Sequence, residues 1–369
     1  MKKITIIGAG NGGVTASYHF SREGHDVCLY DNRDFSVQID AIKKNKGIRA
    51  LESRHETAMF IHGFEKIKLA TNSIEEAIEF SNYLFMIVPS FAQEIMFRAM
   101  LPYLTDKHTL ISMPGNYASL VLDKIKKEEG YDDLDLTYVD TMTIPWACRL
   151  FNPGEVGVMG IKQFIYAGVY PHSRTESTLS NINKFFPIPV SPLENVIASG
   201  LENINFGGHP LITTLNMGLL ENFKGRFNYY SDCISPATDR VSTKMESERQ
   251  KIGKGLNLRL KSELDMMNFL YNSNAGSVYE FNKTSVTHGK IHSAPDSSYS
   301  RYITEDVPNI LVPCFGFAKL LGIKVPIIES CIHIASAFNG TDYFNEGRTL
   351  EKMGLGNMTK DQILEAVNG

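Results

Sequence analysis

Over its first 140 residues the chain alternates short apolar runs with helix-like stretches. The runs that predict strands lie at residues 3–7, 25–30, 66–70, 83–88, 108–112 and 136–139. The run at 83–88 is almost continuously apolar, as expected of a strand that is covered on both faces. Between two of these runs, Ser73 opens a short helix with a capping sequence. The alternation predicts an α/β fold, a Rossmann-type doubly wound sheet.

From about residue 198 the pattern becomes helical. Apolar residues at helix-like spacing predict helices within 238–272, 310–321 and 327–338, and Thr359 opens a last helix with a capping box. The charged stretch 240–261 is interpreted as a solvated helix face. We therefore expect a dinucleotide-binding Rossmann-like domain over residues 1–197 and an all-α substrate domain over residues 198–369, with a cleft between them.

A glycine-rich turn joins the first predicted strand to the first predicted helix. Gly8, Gly10 and Gly13 have the G-x-G-x-x-G spacing, and the helix N-terminus behind them offers N–H groups to phosphates. Asp31 ends the next strand, where a carboxylate can bond the hydroxyls of the adenine ribose. The predicted cofactor-binding residues lie in or near this turn or at strand ends: Gly8, Gly10, Asn11, Gly12, Gly13, Asp31, Arg33, Val88 and Pro89.

The acidic strand end favours NAD(H) over NADP(H) as the cofactor. A carboxylate at Asp31 repels a 2′-phosphate. Arg33 keeps NADP(H) open, because a guanidinium two residues later can accommodate that phosphate or stack on adenine.

Composition narrows the classes of protein further. The 37 Lys and Arg against 41 Asp and Glu give a formal net charge of −4, which argues against a nucleic-acid binder. The five cysteines include no C-x-x-C pair, so they indicate neither a disulfide framework nor a zinc site, and a reducing compartment is expected. No run is apolar and long enough for a signal peptide or a membrane span. We expect a soluble cytoplasmic protein.

Two segments of the second half suggest chemistry. His209 can move a proton near neutral pH, and Pro210 beside it suits the first turn of a helix. In the segment 300–308, Arg301 offers a planar fork that fits a carboxylate, and Asp306 can orient an imidazole. His288 and His292 are four residues apart, but Gly289 separates them and no carboxylate pair is near in sequence, so no metal is expected.

With these motifs the chain resembles the octopine/nopaline dehydrogenase family over nearly its whole length. The matching segments lie at 8–13, 88–91, 114–116, 141–149, 205–216, 301–308 and 347–355. The resemblance implies that a 2-oxo acid, often pyruvate, condenses with the amino group of an amino acid. It also implies that a nicotinamide cofactor reduces the imine to an N-(carboxyalkyl) amino acid.

The resemblance also implies roles for single residues. His209 would be the acid/base residue, paired with Asp306, and Arg301 would clamp a substrate carboxylate. Asn116 and Thr141 match positions that help to hold the oxo acid.

Two positions depart from the family pattern. Asp140 stands where the family more often has Glu, which leaves the amine specificity open. Glu246-Ser247-Glu248-Arg249 replaces an Asp-x-Glu-Arg run, a change interpreted as one of packing.

Three aromatic residues keep two interpretations each. Trp146 either shapes the amine pocket or packs in the core, and Tyr229 and Tyr230 either line the cleft or pack.

Two other functions remain open on the sequence. A hydroxy-acid dehydrogenase or ketopantoate-type reductase with the same two domains would use a catalytic lysine, and Lys224 and Lys244 are present outside any recognised motif. A nucleotide-sensing protein without turnover would need the glycine turn but neither His209 nor Arg301. A homodimer is possible.

Overall fold

The chain folds into two compact units that meet in sequence between Val196 and Ile197. The structure, a computed structural model, describes residues 1–54, 57–285 and 294–368. The first unit combines sheets and helices and the second is helical, so the predicted fold class is confirmed.

The strands of the first unit that the structure describes are short. They are β1 Lys3–Ile7, β2 Asp26–Tyr30, β3 Gly47–Ala50, β4 Ser53–Arg54, β5 Thr57–Ala58, β6 Gly63–Lys66, β7 Leu69–Thr71, β8 Tyr83–Met86, β9 Thr109–Ser112, β10 Thr137–Thr141, β11 Trp146–Asn152, β12 Glu155–Ile161, β13 Ile165–Tyr170 and β14 Val190–Pro192. Its α-helices are α1 Asn11–Arg22, α2 Ser36–Asn45, α3 Ile74–Phe80, α4 Ser90–Met100, α5 Ala118–Glu128 and α6 Thr175–Ile182, and α7 Val196–Leu201 leads into the second unit. Single 3₁₀ turns lie at Arg33–Phe35, Leu101–Tyr103 and His172–Arg174.

The large sheet has the order β14-β13-β10-β9-β8-β1-β2-β7. The six strands from β7 to β10 are all parallel, β13 is antiparallel to β10, and β14 is parallel to β13. This is the Rossmann strand order, in which ligands bind at the carboxyl ends of the strands. Polar side chains at the end of β1 and just after β8, β9 and β10 are therefore candidates for ligand binding.

A second sheet, in the order β11-β12-β3-β6, packs on α1 and was not predicted from the sequence. The turn at Pro153-Gly154, where Gly154 has φ +77°, was the available signal for its β11–β12 hairpin. The single strand predicted at 66–70 was wrong. The segment contributes to two strands, β6 in this sheet and β7 in the large sheet. The sequence does not show the break between them, because the alternation of polar and apolar residues continues across it.

In its described residues, 197–285 and 294–368, the second unit contains helices and two π-helical turns. Its α-helices are α8 Ile212–Leu215, α9 Met217–Phe223, α10 Tyr229–Asp232, α11 Pro236–Gly255, α12 Glu263–Tyr271, α13 Val278–Thr284, α14 Arg301–Thr304, α15 Val312–Leu320, α16 Pro326–Asn339, α17 Tyr343–Glu346 and α18 Lys360–Asn368. The π-helical turns lie at Gly207–Leu211 and Val307–Leu311.

Two helix predictions need correction. The stretch 238–272 is two helices, because the first ends at Gly255 and Ser262 caps the second by accepting a hydrogen bond from the Asp265 N–H. Pro210 does not begin a helix but lies inside a π-helical turn that continues into α8. The wider turn accommodates a residue that has no N–H to donate.

No helix among residues 1–54, 57–285 and 294–368 is long and apolar enough to cross a membrane. All five cysteines are buried and none forms a disulfide.

Candidate active site

The glycine turn after β1 is shaped by close backbone contacts. Gly8 has φ +105°, and a Cβ there would lie 2.6 Å from Val88 Cγ1 and 2.7 Å from the Ile87 carbonyl oxygen. A Cβ on Gly13 would lie 1.8 Å from the Gly8 carbonyl oxygen, so α1 packs directly on the turn. Glycine is thus required at both positions by the protein's own packing.

Gly10 differs from its neighbours, because a Cβ there would meet no protein atom within 4 Å. It is also the N-cap of α1, and no side chain caps this helix. The first N–H groups of a helix have no partner within the helix and favour an anion. The open space at Gly10 and the uncapped end together fit a pyrophosphate.

Asp31 lies at the end of β2 and its carboxylate is held by the turn. Oδ2 accepts a hydrogen bond of 2.7 Å from the Ala9 N–H, and Oδ1 accepts one of 2.8 Å from the Asn32 N–H. Burial raises the pKa of Asp31, against these two hydrogen bonds, which lower it. Each oxygen keeps a second lone pair, with which it can accept a hydrogen bond from a hydroxyl of a ribose diol. Arg33 is exposed, in the 3₁₀ turn that follows.

The remaining predicted cofactor residues support the turn. Asn11 begins α1, and its Oδ1 accepts a hydrogen bond of 2.8 Å from the Leu150 N–H of β11. Val88 contacts the turn through Gly8, as described, and Pro89 precedes α4. Gly12 packs on Ile87, since a Cβ there would lie 2.8 Å from its Cγ2.

In the second unit, the imidazole of His209 is held by a carboxylate. His209 Nδ1 lies 2.7 Å from Asp306 Oδ2, and both side chains are buried. Burial raises the pKa of Asp306 to about 7, although the charge of Arg301 and a hydrogen bond from Asn205 lower it. At this distance the carboxyl group and the imidazole can share one proton. The structure brings together two residues that are 97 positions apart.

Two tyrosines complete the surroundings of this imidazole. Tyr302 stacks on it with a centroid distance of 3.6 Å and an interplanar angle of 7°. Tyr230 places its hydroxyl 3.1 Å from His209 Nε2. Sequence reasoning left Tyr230 undecided and gave Tyr302 no role, although Tyr302 stands between Arg301 and Asp306 in the segment that was singled out.

Tyr229 supports the backbone on which His209 is mounted. Its hydroxyl donates to the carbonyl oxygens of Gly208 and His209, at 3.1 and 3.0 Å, and lies 2.9 Å from Thr213 Oγ1. These carbonyls belong to the π-helical turn. Of the two adjacent tyrosines, Tyr229 thus packs and Tyr230 meets the imidazole.

Arg301 begins α14, one residue before Tyr302. Its side chain is 57% exposed, and Nη1 lies 4.0 Å from Glu305 Oε2. This distance is long for an ion pair, so the fork of the guanidinium remains able to take a carboxylate in bidentate geometry.

Asn116 and Thr141 lie in the first unit, at the tails of β9 and β10. Asn116 Nδ2 donates to Ser90 Oγ at 2.8 Å, and Thr141 Oγ1 donates to the Thr143 carbonyl oxygen at 2.9 Å. The Gly115 N–H donates to the Thr141 carbonyl oxygen, so the two tails are joined. Both side chains are buried.

Asp140 next to Thr141 serves the fold. It is fully buried, and its carboxylate accepts hydrogen bonds from the N–H and the hydroxyl of Ser119 in the first turn of α5. Trp146 belongs to the core of the first unit, where its Nε1–H donates to His19 Nδ1 at 2.9 Å. The structure therefore uses both residues for packing.

The interpretation of 240–261 as a solvated face was wrong at its centre. Arg249 is buried, and its guanidinium pairs with Glu246 at 2.7 Å and with Glu202 at 3.3 Å. Glu248 is buried too and accepts hydrogen bonds from the Ile327 and Ile328 N–H groups at the start of α16. Helical spacing alone does not show that a charged residue has partners elsewhere in the chain.

Glu263 lies against the π-helical turn of His209. A Cβ on Gly207 would lie 2.7 Å from Glu263 Oε2, so the carboxylate would have to shift to admit a side chain there. Burial and the charge of Glu246 raise the pKa of Glu263 to about 7, while Arg249 lowers it.

The other interpretations of the sequence concern two lysines and a pair of histidines. Lys224 and Lys244 are both exposed. His288 and His292 fall outside the described residues. Within the described part of the chain, no group of three or more His, Cys, Asp or Glu is placed to hold a metal.

Comparison with known proteins gives matches over both units. Residues 192–339 match the family model of the NAD/NADP octopine/nopaline dehydrogenase α-helical domain. Residues 3–115 match the model of the NAD-dependent glycerol-3-phosphate dehydrogenase N-terminus.

The chain is similar over its full length to an opine dehydrogenase and to a vitopine synthase. The opine dehydrogenase of Arthrobacter sp. (strain 1C) is 28% identical over 99% of both chains. The vitopine synthase of Allorhizobium ampelinum is 25% identical over 100% of both chains.

Solved structures share the fold. Octopine dehydrogenase in complex with NADH and agmatine has a TM-score of 0.78 at 21% identity, covering 99% of this chain and 98% of that one. A ketopantoate reductase from Ralstonia eutropha has a TM-score of 0.58 at 16% identity, covering 92% of this chain and 98% of that one.

Proposed function

We propose that the chain is an NAD(H)-dependent opine dehydrogenase of the octopine/nopaline dehydrogenase family, which the match to the helical-domain model and the full-length similarity to an opine dehydrogenase support. It joins a 2-oxo acid, with pyruvate the first choice, to the amino group of an amino acid and reduces the resulting imine. The product is an N-(carboxyalkyl) amino acid, and the enzyme also runs the reverse reaction.

One observation carries the proposal, the buried His209–Asp306 pair in the same unit as the exposed fork of Arg301. Imine formation needs a group that accepts and returns a proton near neutral pH, and imidazole is such a group. The oxo acid brings a carboxylate, which a guanidinium holds in a fixed orientation. A simple nucleotide sensor has no use for either.

In the proposed reaction, the imidazole first takes a proton from the ammonium group of the amino acid. The free amine then attacks the carbonyl carbon of the oxo acid, and one proton moves from the nitrogen to the former carbonyl oxygen to give the carbinolamine. The same proton returns to the hydroxyl of the carbinolamine, which leaves as water and gives the iminium. Asp306 stabilises the imidazole while it carries the proton, and Arg301 holds the oxo-acid carboxylate. Asn116 and Thr141 are proposed to help to hold the oxo acid.

The nicotinamide cofactor supplies a hydride to the iminium carbon when it is bound. The residues of the first unit fit a dinucleotide, because Gly10 leaves space at an uncapped helix end and Asp31 presents two oxygens from the end of β2. We assign the pyrophosphate to the N–H groups of Asn11 and Gly12, with Gly8, Gly13, Val88 and Pro89 shaping the turn. Asp31 is assigned to the adenine ribose.

The carboxylate of Asp31 supports NAD(H) over NADP(H). Arg33 is the residue that would favour NADP(H), and it is exposed and close in sequence. The ratio of the Kd values for NADH and NADPH, measured on the wild type and on Arg33→Ala, decides between the two cofactors.

We further propose residues 1–197 as the dinucleotide-binding domain and 198–369 as the substrate domain. A cytoplasmic location agrees with five buried free cysteines. A homodimer stays a prediction.

The experiment that tests the function is an NADH-oxidation assay with pyruvate, without an amine and then with each common amino acid, β-alanine and taurine. The proposal expects oxidation to require both pyruvate and an amine. Oxidation that is equally fast without any amine would identify a hydroxy-acid dehydrogenase or ketopantoate-type reductase instead. NADH binding without oxidation in any arm would identify a sensor.

A further inference from the structure

We propose that Lys162 is a positioning residue for the oxo acid, because its side chain fixes the loop to which the Thr141 hydroxyl is bonded. The loop consists of residues 142–145 and joins β10 to β11; we call it the β10–β11 loop. The inference rests on the proposed function, in which Thr141 helps to hold the oxo acid. It goes beyond that function, since Lys162 lies outside every motif of the sequence.

The β10–β11 loop has a carbonyl-rich far end. Its first residue is fixed to β13, because the Met142 N–H donates to the Tyr166 carbonyl oxygen at 3.1 Å. At its other end, Pro145 has no N–H, and a proline ring also restricts the backbone of the residue before it, here Ile144. A donor from elsewhere in the chain is therefore needed to hold the carbonyl oxygens of this end.

Lys162 supplies such donors to two consecutive carbonyl oxygens. Its Nζ donates to the Ile144 carbonyl oxygen at 2.8 Å, and its backbone N–H donates to that of Pro145 at 2.9 Å. Lys162 directly follows β12, in which Ile161 pairs with Trp146 of β11. The backbone bond thus continues the pairing of β11 with β12, whereas the bond from the ammonium group is an additional one that only a long side chain can make.

The Thr141 hydroxyl is bonded to the same loop. Thr141 Oγ1 donates to the Thr143 carbonyl oxygen at 2.9 Å, and Thr143 Oγ1 makes a longer contact of 3.4 Å with the Ile144 carbonyl oxygen. The bond from Lys162 to that oxygen is the shorter of the two. If it is lost, the loop can shift, and the Thr143 carbonyl that orients the Thr141 hydroxyl shifts with it.

Folding alone does not favour an ammonium group at this position. Lys162 is 5% exposed, and burial lowers its pKa to about 8, although the nearby Cys148 raises it. Taking a charged group out of water is unfavourable, and an apolar side chain of similar length would fill the space without that cost. The hydrogen bond to the loop gives a reason for the ammonium group that packing does not give.

The first test is Lys162→Met, which keeps most of the length of the side chain and removes the ammonium group. We expect the KM for pyruvate to rise about three- to tenfold, the range expected for one hydrogen bond. The KM for the amine and the Kd for NADH should stay within error of the wild type. An unchanged KM for pyruvate would overturn the proposal. An equal rise of all three constants would also overturn it, because it would indicate a general loosening of the unit.

Lys126→Met is the matched control. Lys126 is also a buried lysine whose Nζ donates to a backbone carbonyl oxygen, that of Leu134 at 2.7 Å, and it pairs with Asp123 at 3.3 Å. Leu134 precedes β10, whereas the loop held by Lys162 follows it. Lys126→Met should therefore leave the KM for pyruvate unchanged. A rise as large as that in Lys162→Met would show an effect of lost stability and would reject the proposal.

A double-variant cycle tests whether Lys162 acts through Thr141. Thr141→Val removes the hydroxyl, keeps the shape of the side chain and should raise the KM for pyruvate by itself. Adding Lys162→Met to Thr141→Val should raise the KM little further, because the group that Lys162 positions is already absent. Effects that multiply in the double variant would contradict the positioning role, and so would a wild-type KM in Thr141→Val.

The wild-type assay separates this inference from the proposed function. If the wild type oxidises NADH only with both pyruvate and an amine, and Lys162→Met has wild-type constants, only the role of Lys162 fails. If the wild type needs no amine, the proposed function fails, and the cycle on the KM for pyruvate still decides the role of Lys162. Thermal unfolding checks that each variant is folded. If Lys162→Met is not, Lys162→Gln replaces it in every arm with the same expected direction, because its shorter side chain also removes the ammonium group.

Discussion

The candidate ligand sites of the two units are built from different parts of the polypeptide. In the first, the candidate site is made of backbone, namely three glycines and an uncapped helix end, and the charged side chain of Asp31 bonds to it. In the second, the candidate site is made of side chains from three separate segments, His209, Tyr230 and 301–306. A backbone cradle can bind and orient, but it has no group that titrates near neutral pH. This difference supports our proposal that the first unit binds the cofactor and the second supplies the proton chemistry.

The largest effect is expected from His209→Ala. Loss of the imidazole should lower kcat about 10²–10⁴-fold, the usual contribution of a general acid or base. The Kd for NADH should not change, because the glycine turn is in the other unit. Steady-state kinetics and a fluorescence titration with NADH check both parts. A variant with full kcat would contradict the proposal that the second unit supplies the proton chemistry through His209.

Two glycine variants in the first unit test which glycine is required for packing and which for binding a ligand. Gly13→Ala should destabilise the protein by about 1–3 kcal/mol, the cost of overpacking, because its Cβ would lie 1.8 Å from the Gly8 carbonyl oxygen. Gly10→Ala should leave stability unchanged, since its Cβ meets no protein atom within 4 Å, but should weaken NADH binding. Denaturant unfolding and NADH titration measure the two effects. Equal behaviour of the two variants would show that Gly10 serves packing and not a ligand.

Arg301→Lys should have a smaller effect that is confined to one substrate. An ammonium cannot make the two parallel hydrogen bonds of a guanidinium, so the KM for the oxo acid should rise about tenfold, roughly 1.4 kcal/mol. The KM for the amine and the Kd for NADH should stay within error of the wild type. A rise in the amine KM alone would place Arg301 at the other substrate.

The smallest effect concerns the pH dependence of stability at Glu263. Its pKa is raised to about 7 in the fold, so the folded state favours the protonated form. The stabilisation is therefore full below pH 4.5 and is lost as the pH rises through 7. Glu263→Gln should be more stable than the wild type at pH 8 and should not gain at pH 4. An equal gain at both pH values would contradict the raised pKa.

The same difference between the units explains what the sequence could predict. The glycine turn and Asp31 are local, so six consecutive residues and the next strand end were enough to predict a dinucleotide site. The strand alternation likewise predicted a doubly wound Rossmann-type sheet, because buried parallel strands are apolar and their turns are polar.

The parts that were missed depend on distant contacts. Tyr230 reaches His209 across 21 positions, and no period or motif marks it. Arg249 pairs with Glu202 across 47 positions, so a helix that looks solvated has a buried centre. The second sheet was missed because its strands come from two separated stretches, and β3 pairs with β12 only after the chain has returned. Such pairings are decided by tertiary packing.

The most direct test of the account is to identify the product made from pyruvate, an amino acid and NADH deuterated at C4. The account predicts an N-(1-carboxyethyl) amino acid that carries deuterium on the former carbonyl carbon of pyruvate, as seen by mass spectrometry and NMR. Deuterated lactate in the same amount with and without the amino acid would contradict it.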